Sequence, residues 1–384
     1  MRLQRSFRTA LFLASALILC LLAVSCGKDK PETNGNVLFH TPGKVTESPE
    51  SALPTEEITP YATPSANPTP TETPAQTPTS TPTRAATPTP TPTIAPTPEP
   101  TPTPSPQELP TQSVADGEYT ELSFDYEASA AETLSGLKTM DQVRFKVYDP
   151  ENKKGLSTSR ISHWFGANTP AQPKIFQQHY DEMGWSALTY DMKSDKNVIY
   201  LTFDCGYENG QTAKILDTLK EKNVHAAFFV TLDYLKEAPQ LAARMINEGH
   251  IVGNHSAKHP DFSSIDRTRM ASELQRVENY LRVYFGYSTR YFRYPAGNYS
   301  DSSMELLTSL GYRSIFWSYA YVDYDEDVIR GKQYAFDRVT KNLHPGEVLL
   351  LHAISQDNAD ALGDIIDYVT AQGYEFRTLD QYSW

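Results

Sequence analysis

The sequence predicts an α/β fold: a distorted (β/α) barrel of about seven parallel strands, preceded by a Pro/Thr-rich linker with no structure of its own. Three observations carry this expectation. Short apolar runs recur across residues 196–384, as strands buried on both faces require. Amphipathic helical stretches separate them, the pattern of a parallel sheet with helices outside. About twenty of the 28 prolines fall between Pro42 and Pro110, so the chain is not globular throughout.

The elements follow in order. Arg2, Arg5 and Arg8 precede an apolar run from Ala10 to Val24. A basic start with a short apolar core reads as a secretory signal, too short for a spanning helix. The run ends Leu22-Ala23-Val24-Ser25-Cys26-Gly27. Small residues before a cysteine resemble a bacterial lipoprotein cleavage site, which implies a signal peptide over 1–26 and a lipidated Cys26. An ordinary signal cut near Cys26 is the other reading. Either way the expected location is extracytoplasmic: anchored to the cell membrane by lipid and reaching into the cell wall.

Residues 27–113 are polar and carry Thr-Pro repeats such as Thr87-Pro88-Thr89-Pro90-Thr91-Pro92. Such a segment cannot bury enough apolar surface to fold. It should sample polyproline II at about 3.1 Å per residue, a passive stalk. Residues 114–195 are expected to form an N-terminal extension that packs on the domain over 196–384. There Val143–Tyr148 alternates like a strand, and His163, Trp164, Phe165 and Trp185 read as packing residues. Substrate contact by Trp164 or Trp185 is the alternative.

Residues 196–384 carry the strand–helix repeat. Strands are expected at 198–203, 226–230, 251–254, 291–294, 314–318, 347–351 and 375–378. Helices are expected at 212–222, 239–248, 266–286, 302–310 and 358–372, the third with Met270, Leu274, Val277, Leu281 and Phe285 at steps of three and four. Barrels of this kind place chemistry at the C-terminal ends of their strands. Asp204, His255, Arg293, Asp323 and His352 all fall at or just beyond strand ends, on one rim.

Composition narrows the partners. The chain has 384 residues, a net charge of −13 and no run of five or six basic residues, so nucleic acid is a poor candidate. Three cysteines, Cys20, Cys26 and Cys205, are too few for a disulfide framework. The expected oligomeric state is a monomer.

His255-Ser256-Ala257-Lys258-His259 spaces two histidines by four. On a helical turn both imidazoles would share one face, a pair suited to a transition metal. Two imidazoles favour zinc, or cobalt or nickel by availability, over magnesium or calcium. A carboxylate beside such a site, Asp204, can take a proton from attacking water; helix capping is its bland alternative. Arg293 could pair with Asp204 and keep it ionised, or be structural. His352 is the natural acid for a leaving amine, or a core histidine satisfied by a carbonyl. Asp323 could orient either His352 or Arg293.

These residues resemble a known family. Thr202–Gly206, the His255/His259 pair, Arg293-Tyr294-Pro295-Ala296-Gly297, Trp317 through Asp323-Tyr324, and Leu350-Leu351-His352 look like the five motifs of the polysaccharide deacetylases. That family is carbohydrate esterase family 4, the NodB-homology domain. Tyr207-Glu208-Asn209-Gly210 and Trp317–Asp323 look closest to the δ-lactam-biosynthetic peptidoglycan deacetylases, which act on N-acetylmuramic acid. The resemblance implies Asp204 as base, His255 and His259 as metal ligands, Arg293 bracing the base, and His352 as acid with Asp323 in support. It also implies an oxyanion donor at the Ala296 backbone, with Trp317 and Tyr324 near the substrate. The implied reaction is hydrolysis of N-acetyl groups on cell-wall glycan, and the implied substrate partner is peptidoglycan.

One position departs from the pattern. Most of the family has a second aspartate after the catalytic one, as a metal ligand, and here Cys205 stands there. A thiolate is a good zinc ligand, with Zn–S about 2.3 Å, so Cys205 is expected as a third ligand, against a buried neutral thiol. Three other functions compete: an inactive glycan-binding module of the same fold, a deacetylase of chitin or xylan oligomers, and a cysteine hydrolase built on Cys205. The last leaves the Asp204–Arg293 pair without a task.

Overall fold

The computed structural model of the protein describes residues 117–123, 126, 133–163 and 171–384. The signal segment, Cys26, the linker, Trp164 and Phe165 lie outside the described residues. The elements run β1 (Tyr119–Glu121), β2 (Lys146–Tyr148), β3 (Ile161–Ser162), α1 (Ala171–Glu182), β4 (Ala187–Leu188), β5 (Val198–Cys205), α2 (Thr212–Lys222), β6 (Ala227–Val230), α3 (Leu232–Glu237), α4 (Pro239–Asn247), β7 (Ile251–Asn254) and α5 (Arg267–Phe285). They continue β8 (Tyr291–Phe292), β9 (Asn298–Tyr299), α6 (Asp301–Ser309), β10 (Arg313–Ile315), α7 (Lys332–Thr340), β11 (Glu347–His352), α8 (Gln356–Ala371) and β12 (Glu375–Phe376).

The main sheet has eight strands in the order β11-β5-β6-β7-β8-β10-β4, with β12 also on β5. Every pairing in it is parallel. Seven of the strands are the expected ones. The eighth, β4, lies upstream of residue 196, inside the stretch read as an extension. The sheet curls until the chain after β10 meets β11: Leu350 N–H donates to the Tyr319 carbonyl at 3.0 Å, and Tyr190 bridges to Glu347. The α/β curled parallel barrel is thus the observed architecture.

Side chains alternate across the curl. Val198 and Tyr200 face inward with Ala227, Phe229, Ile251 and Val348. Ile199, Leu201 and Phe203 face outward into the layer shared with Ile215 and Leu219 of α2 and Leu362 and Ile365 of α8. Gly253 of β7 keeps the interior open where it matters: a Cβ there would stand 2.5 Å from the Phe229 ring. Helix α5 begins at Asp266, whose carboxylate accepts from Arg269 N–H, and ends at Gly286 in the left-handed region. A side chain at 286 would meet the Lys138 carbonyl at 2.2 Å.

The expected strand at 143–148 is shorter than its alternation suggests. Only Lys146–Tyr148 pairs, with β1. Upstream, the Val143 and Phe145 N–H groups donate instead to Asn279 and Gln275 of α5. His163 and Trp185 are buried packing residues: His163 stacks on Tyr180 and lies against Phe316, and Trp185 packs on His179 and Tyr180.

Candidate active site

Strand register assembles the rim. His352 pairs directly with Asp204 at the ends of β11 and β5. Across the sheet Cys205, Val230, Asn254 and Phe292 fall in one row. His255 and Arg293 are each the next residue beyond that row, so both emerge on the rim that carries Asp204.

Arg293 is fully buried and every nitrogen of its guanidinium is engaged. Nη1 donates to Asp204 Oδ1 at 2.9 Å and Nη2 to Thr202 Oγ1 at 2.8 Å and the Phe316 carbonyl at 3.0 Å. Nε donates to the Ile315 carbonyl at 3.0 Å, and the Phe229 ring lies 4.3 Å below. Burial opposes ionisation of Asp204, but Arg293, then His255 and His352, outweigh it and hold the carboxyl below the usual aspartate range. Arg293 is therefore the partner of Asp204, which decides one of the alternatives left by the sequence.

His255 and His259 come together as expected, with ring centroids 4.8 Å apart and nearly perpendicular. The means differs from a helical turn. Residues 255–260 form no helix, and Ser256 and His259 both adopt positive φ, at 68° and 53°. The loop is pinned from beneath: Ser256 N–H donates to Asn254 Oδ1 at 2.9 Å, His259 N–H to Ser256 Oγ at 2.9 Å, and Lys258 N–H to buried Glu273 at 2.7 Å. His255 Nδ1–H donates to the Arg293 carbonyl at 2.8 Å. That fixes the tautomer and leaves Nε2, 3.5 Å from Asp204 Oδ2, as a lone-pair donor. Burial keeps His255 below the ordinary imidazole range, and burial with the neighbouring His255 pushes His259 down to about 4. Two neutral, oriented imidazoles beside a carboxylate are a donor set that fits a borderline transition cation such as zinc.

Cys205 does not join them. It shares the alternation of Leu201 and Phe203, so its thiol points outward into the apolar layer under α2, fully buried, while Thr202 and Asp204 reach Arg293. Burial, then Asp204 and Glu208, push its thiol well up. The structure therefore does not bring Cys205 together with the histidine pair, and the expected third ligand is not placed at that site.

Opposite Asp204, His352 Nδ1–H donates to Asp323 Oδ1 at 2.7 Å, and His352 N–H donates to Asp323 Oδ2 at 2.9 Å. Burial disfavours the imidazolium, but Asp323 and then Asp204 outweigh it, so the His352 pKa is raised. Asp323 thus orients His352 and not Arg293. Tyr324 stands 5.5 Å from the His352 ring, edge-on and 42% exposed. Ala296 is exposed at φ 51°, a backbone state that costs a non-glycine residue energy and clusters at functional sites. Trp317 is buried against His163 and Gly297, where a Cβ on Gly297 would meet its ring at 2.7 Å, and its ring centroid lies 5.9 Å from the Arg293 guanidinium.

The sequence reading missed the supporting residues. Thr202, two places before Asp204 on the same strand face, was legible by alternation. Asn254 and Glu273 act through backbone N–H groups of the histidine loop, which carries no pattern.

The sequence profile of the polysaccharide deacetylases matches residues 191–315. The chain is 45% identical over 221 residues to an uncharacterized 30.6 kDa protein of Geobacillus stearothermophilus, covering 57% of this chain and 83% of that one. It is 44% identical over 186 residues to the peptidoglycan-N-acetylmuramic acid deacetylase PdaA of Bacillus subtilis, covering 48% and 71%. The solved structure of that PdaA, a family 4 carbohydrate esterase, superposes with a TM-score of 0.56 at 38% identity, covering 59% of this chain and 98% of that chain.

Proposed function

Because the chain belongs to the polysaccharide deacetylases, family 4 carbohydrate esterases that hydrolyse amide bonds, we propose that it removes acetyl groups from N-acetylmuramic acid of peptidoglycan. One observation carries the reading: a base pair, Asp204–Arg293, and an acid pair, His352–Asp323, face each other across paired strand ends, beside two oriented imidazoles.

Each residue then has a task. Asp204, kept ionised by Arg293, takes a proton from water as the water oxygen bonds to the acetyl carbonyl carbon. The Ala296 N–H donates to the oxyanion that forms. His352 delivers its proton to the amide nitrogen as the C–N bond breaks, so acetate and a free amine leave. Tyr324 offers an exposed ring face to the sugar next to His352. A divalent cation, zinc by the chemistry of its donors, would be held by His255 and His259 and would supply Lewis acidity to the carbonyl oxygen and the water.

The choice of muramic acid rests on the likeness to PdaA, and the choice of wall glycan also on the leader. Cys26 carries the lipid in this proposal, the 27–113 segment is the stalk, and the enzyme works as a monomer between membrane and wall. Mass spectrometry of muropeptides after treating purified wall tests the substrate. Loss of one acetyl per muramic acid supports the reading. Loss from glucosamine, or acetate release only from chitin or xylan oligomers, overturns the choice of sugar, and no acetate from any glycan overturns the enzyme.

A further inference from the structure

The acid pair does not end at Asp323. The carboxylate leans on Asn358, the third residue of α8, whose Nδ2 donates to Asp323 Oδ2 at 2.6 Å. Asn358 has no freedom to turn its amide around, because the Tyr321 hydroxyl donates to its Oδ1. Asn358 is 1% exposed and Tyr321 3%, so water does not substitute for either bond. The start of α8 holds the same loop a second way: Asp357 accepts from the Arg330 and Gly331 N–H groups at 2.8 and 2.9 Å. Ser355 caps the helix, which fixes Asn358 relative to the end of β11.

We propose that Asn358, locked by Tyr321, is a positioning residue for the reaction: it holds the Asp323 carboxylate in the rotamer whose Oδ1 meets His352 Nδ1–H. The inference rests on the deacetylase reading above. With both Asp323 oxygens committed, His352 presents Nε2 toward the rim, where its proton passes to the amine nitrogen as the C–N bond breaks. Without the Asn358 donor, Oδ2 keeps only the His352 N–H, the carboxylate rotates, and the imidazole loses its orientation. Among the described residues the side chains of Asp204 and Arg293 share no hydrogen bond with this chain of contacts, so the base side stays in place.

That division supplies a test which a general folding defect would not imitate. A sugar amine must be protonated to leave, whereas a nitrophenolate leaves unaided. The full-length chain is assayed for acetate release from N-acetylated glycan strands and for hydrolysis of 4-nitrophenyl acetate. Asn358→Ala is expected to lower kcat for acetate release about 10- to 100-fold with KM within about twofold, and ester turnover within about twofold. Tyr321→Phe, which keeps the ring and drops the hydroxyl, is expected to show the same selectivity at a few-fold loss, and serves if Asn358→Ala does not fold. Equal losses on amide and ester, or an undiminished amide rate in both variants, overturn the inference and leave the deacetylase reading standing. A wild-type chain that cleaves the ester and releases no acetate from any glycan overturns both.

Discussion

Arg293 and Asp204 are joined at 2.9 Å, with the guanidinium fully buried and the carboxylate left only slightly exposed at the rim. Arg293 spends its remaining donors on Thr202 and two backbone carbonyls. The pair is structural, and in the proposed mechanism the guanidinium that stabilises the fold also keeps the base charged. Replacing Arg293 by leucine strands a buried carboxylate. The expected cost is roughly 3–5 kcal/mol in denaturant unfolding, with turnover lost. A variant of unchanged stability would contradict the geometry.

In the proposed mechanism the acid pair sets the alkaline side of the pH profile. His352 must be protonated to act, and Asp323 raises its pKa against the cost of burial. Activity is therefore present below the folded-state pKa of His352 and falls as pH rises through it, above the ordinary imidazole value. Asp323→Asn removes the raising charge. Its residual activity should be lower, with an alkaline limb displaced to lower pH in a kcat profile; a limb that stays put would assign it to another group.

Cys205 lies on the outward face of β5, in the buried apolar layer that also holds Leu216, Phe228 and Leu232. Cys205→Ala is expected to leave zinc affinity unchanged, measured by competition with a chelating dye, and to cost about 1 kcal/mol for the small cavity. A large loss of zinc affinity would restore the thiol as a ligand.

Far from the rim, Glu347 opens β11 fully buried, its Oε2 accepting from the His344 N–H at 3.0 Å and its Oε1 without a partner among the described residues. Burial pushes its pKa up to about 8. The folded chain then holds this proton more tightly than the unfolded chain, whose glutamate titrates near 4.5. Stability contributed by the neutral acid is complete below that value and declines as pH rises toward about 8. Glu347→Gln should flatten that part of the stability–pH curve, read from thermal melts across the range. An unaltered slope would place the charge elsewhere.

How much of this was legible in the sequence varies by element. Strands such as Val198–Cys205 and Glu347–His352 announce themselves because a parallel strand covered on both faces must be apolar throughout. The rim residues follow, since ionisable groups directly after such runs have few other places to be. β4 escaped because two residues, Ala187 and Leu188, carry no period. α3 is only six residues long, and α7 buries little beyond Ala335 and Val339, too little for an apolar stripe. The histidine pair was legible as a pair but not as a turn, because positive φ at Ser256 and His259 leaves no mark in residue type. The placement of Cys205 away from the histidines was legible for a simpler reason. The strand runs two residues past Phe203, and on that longer strand alternation sends Asp204 inward and Cys205 outward. Asn358 looks like an ordinary helix-start asparagine until Asp323 is seen against it.

The most direct test of the central claim combines metal content and acetate release on the same samples. Asp204→Asn should hold as much zinc as the wild-type chain yet release no acetate from N-acetylated wall glycan, while His255→Ala should lose both the zinc and the acetate. Turnover retained in either variant, or zinc lost from Asp204→Asn, would contradict a water-activating carboxylate set beside paired imidazoles.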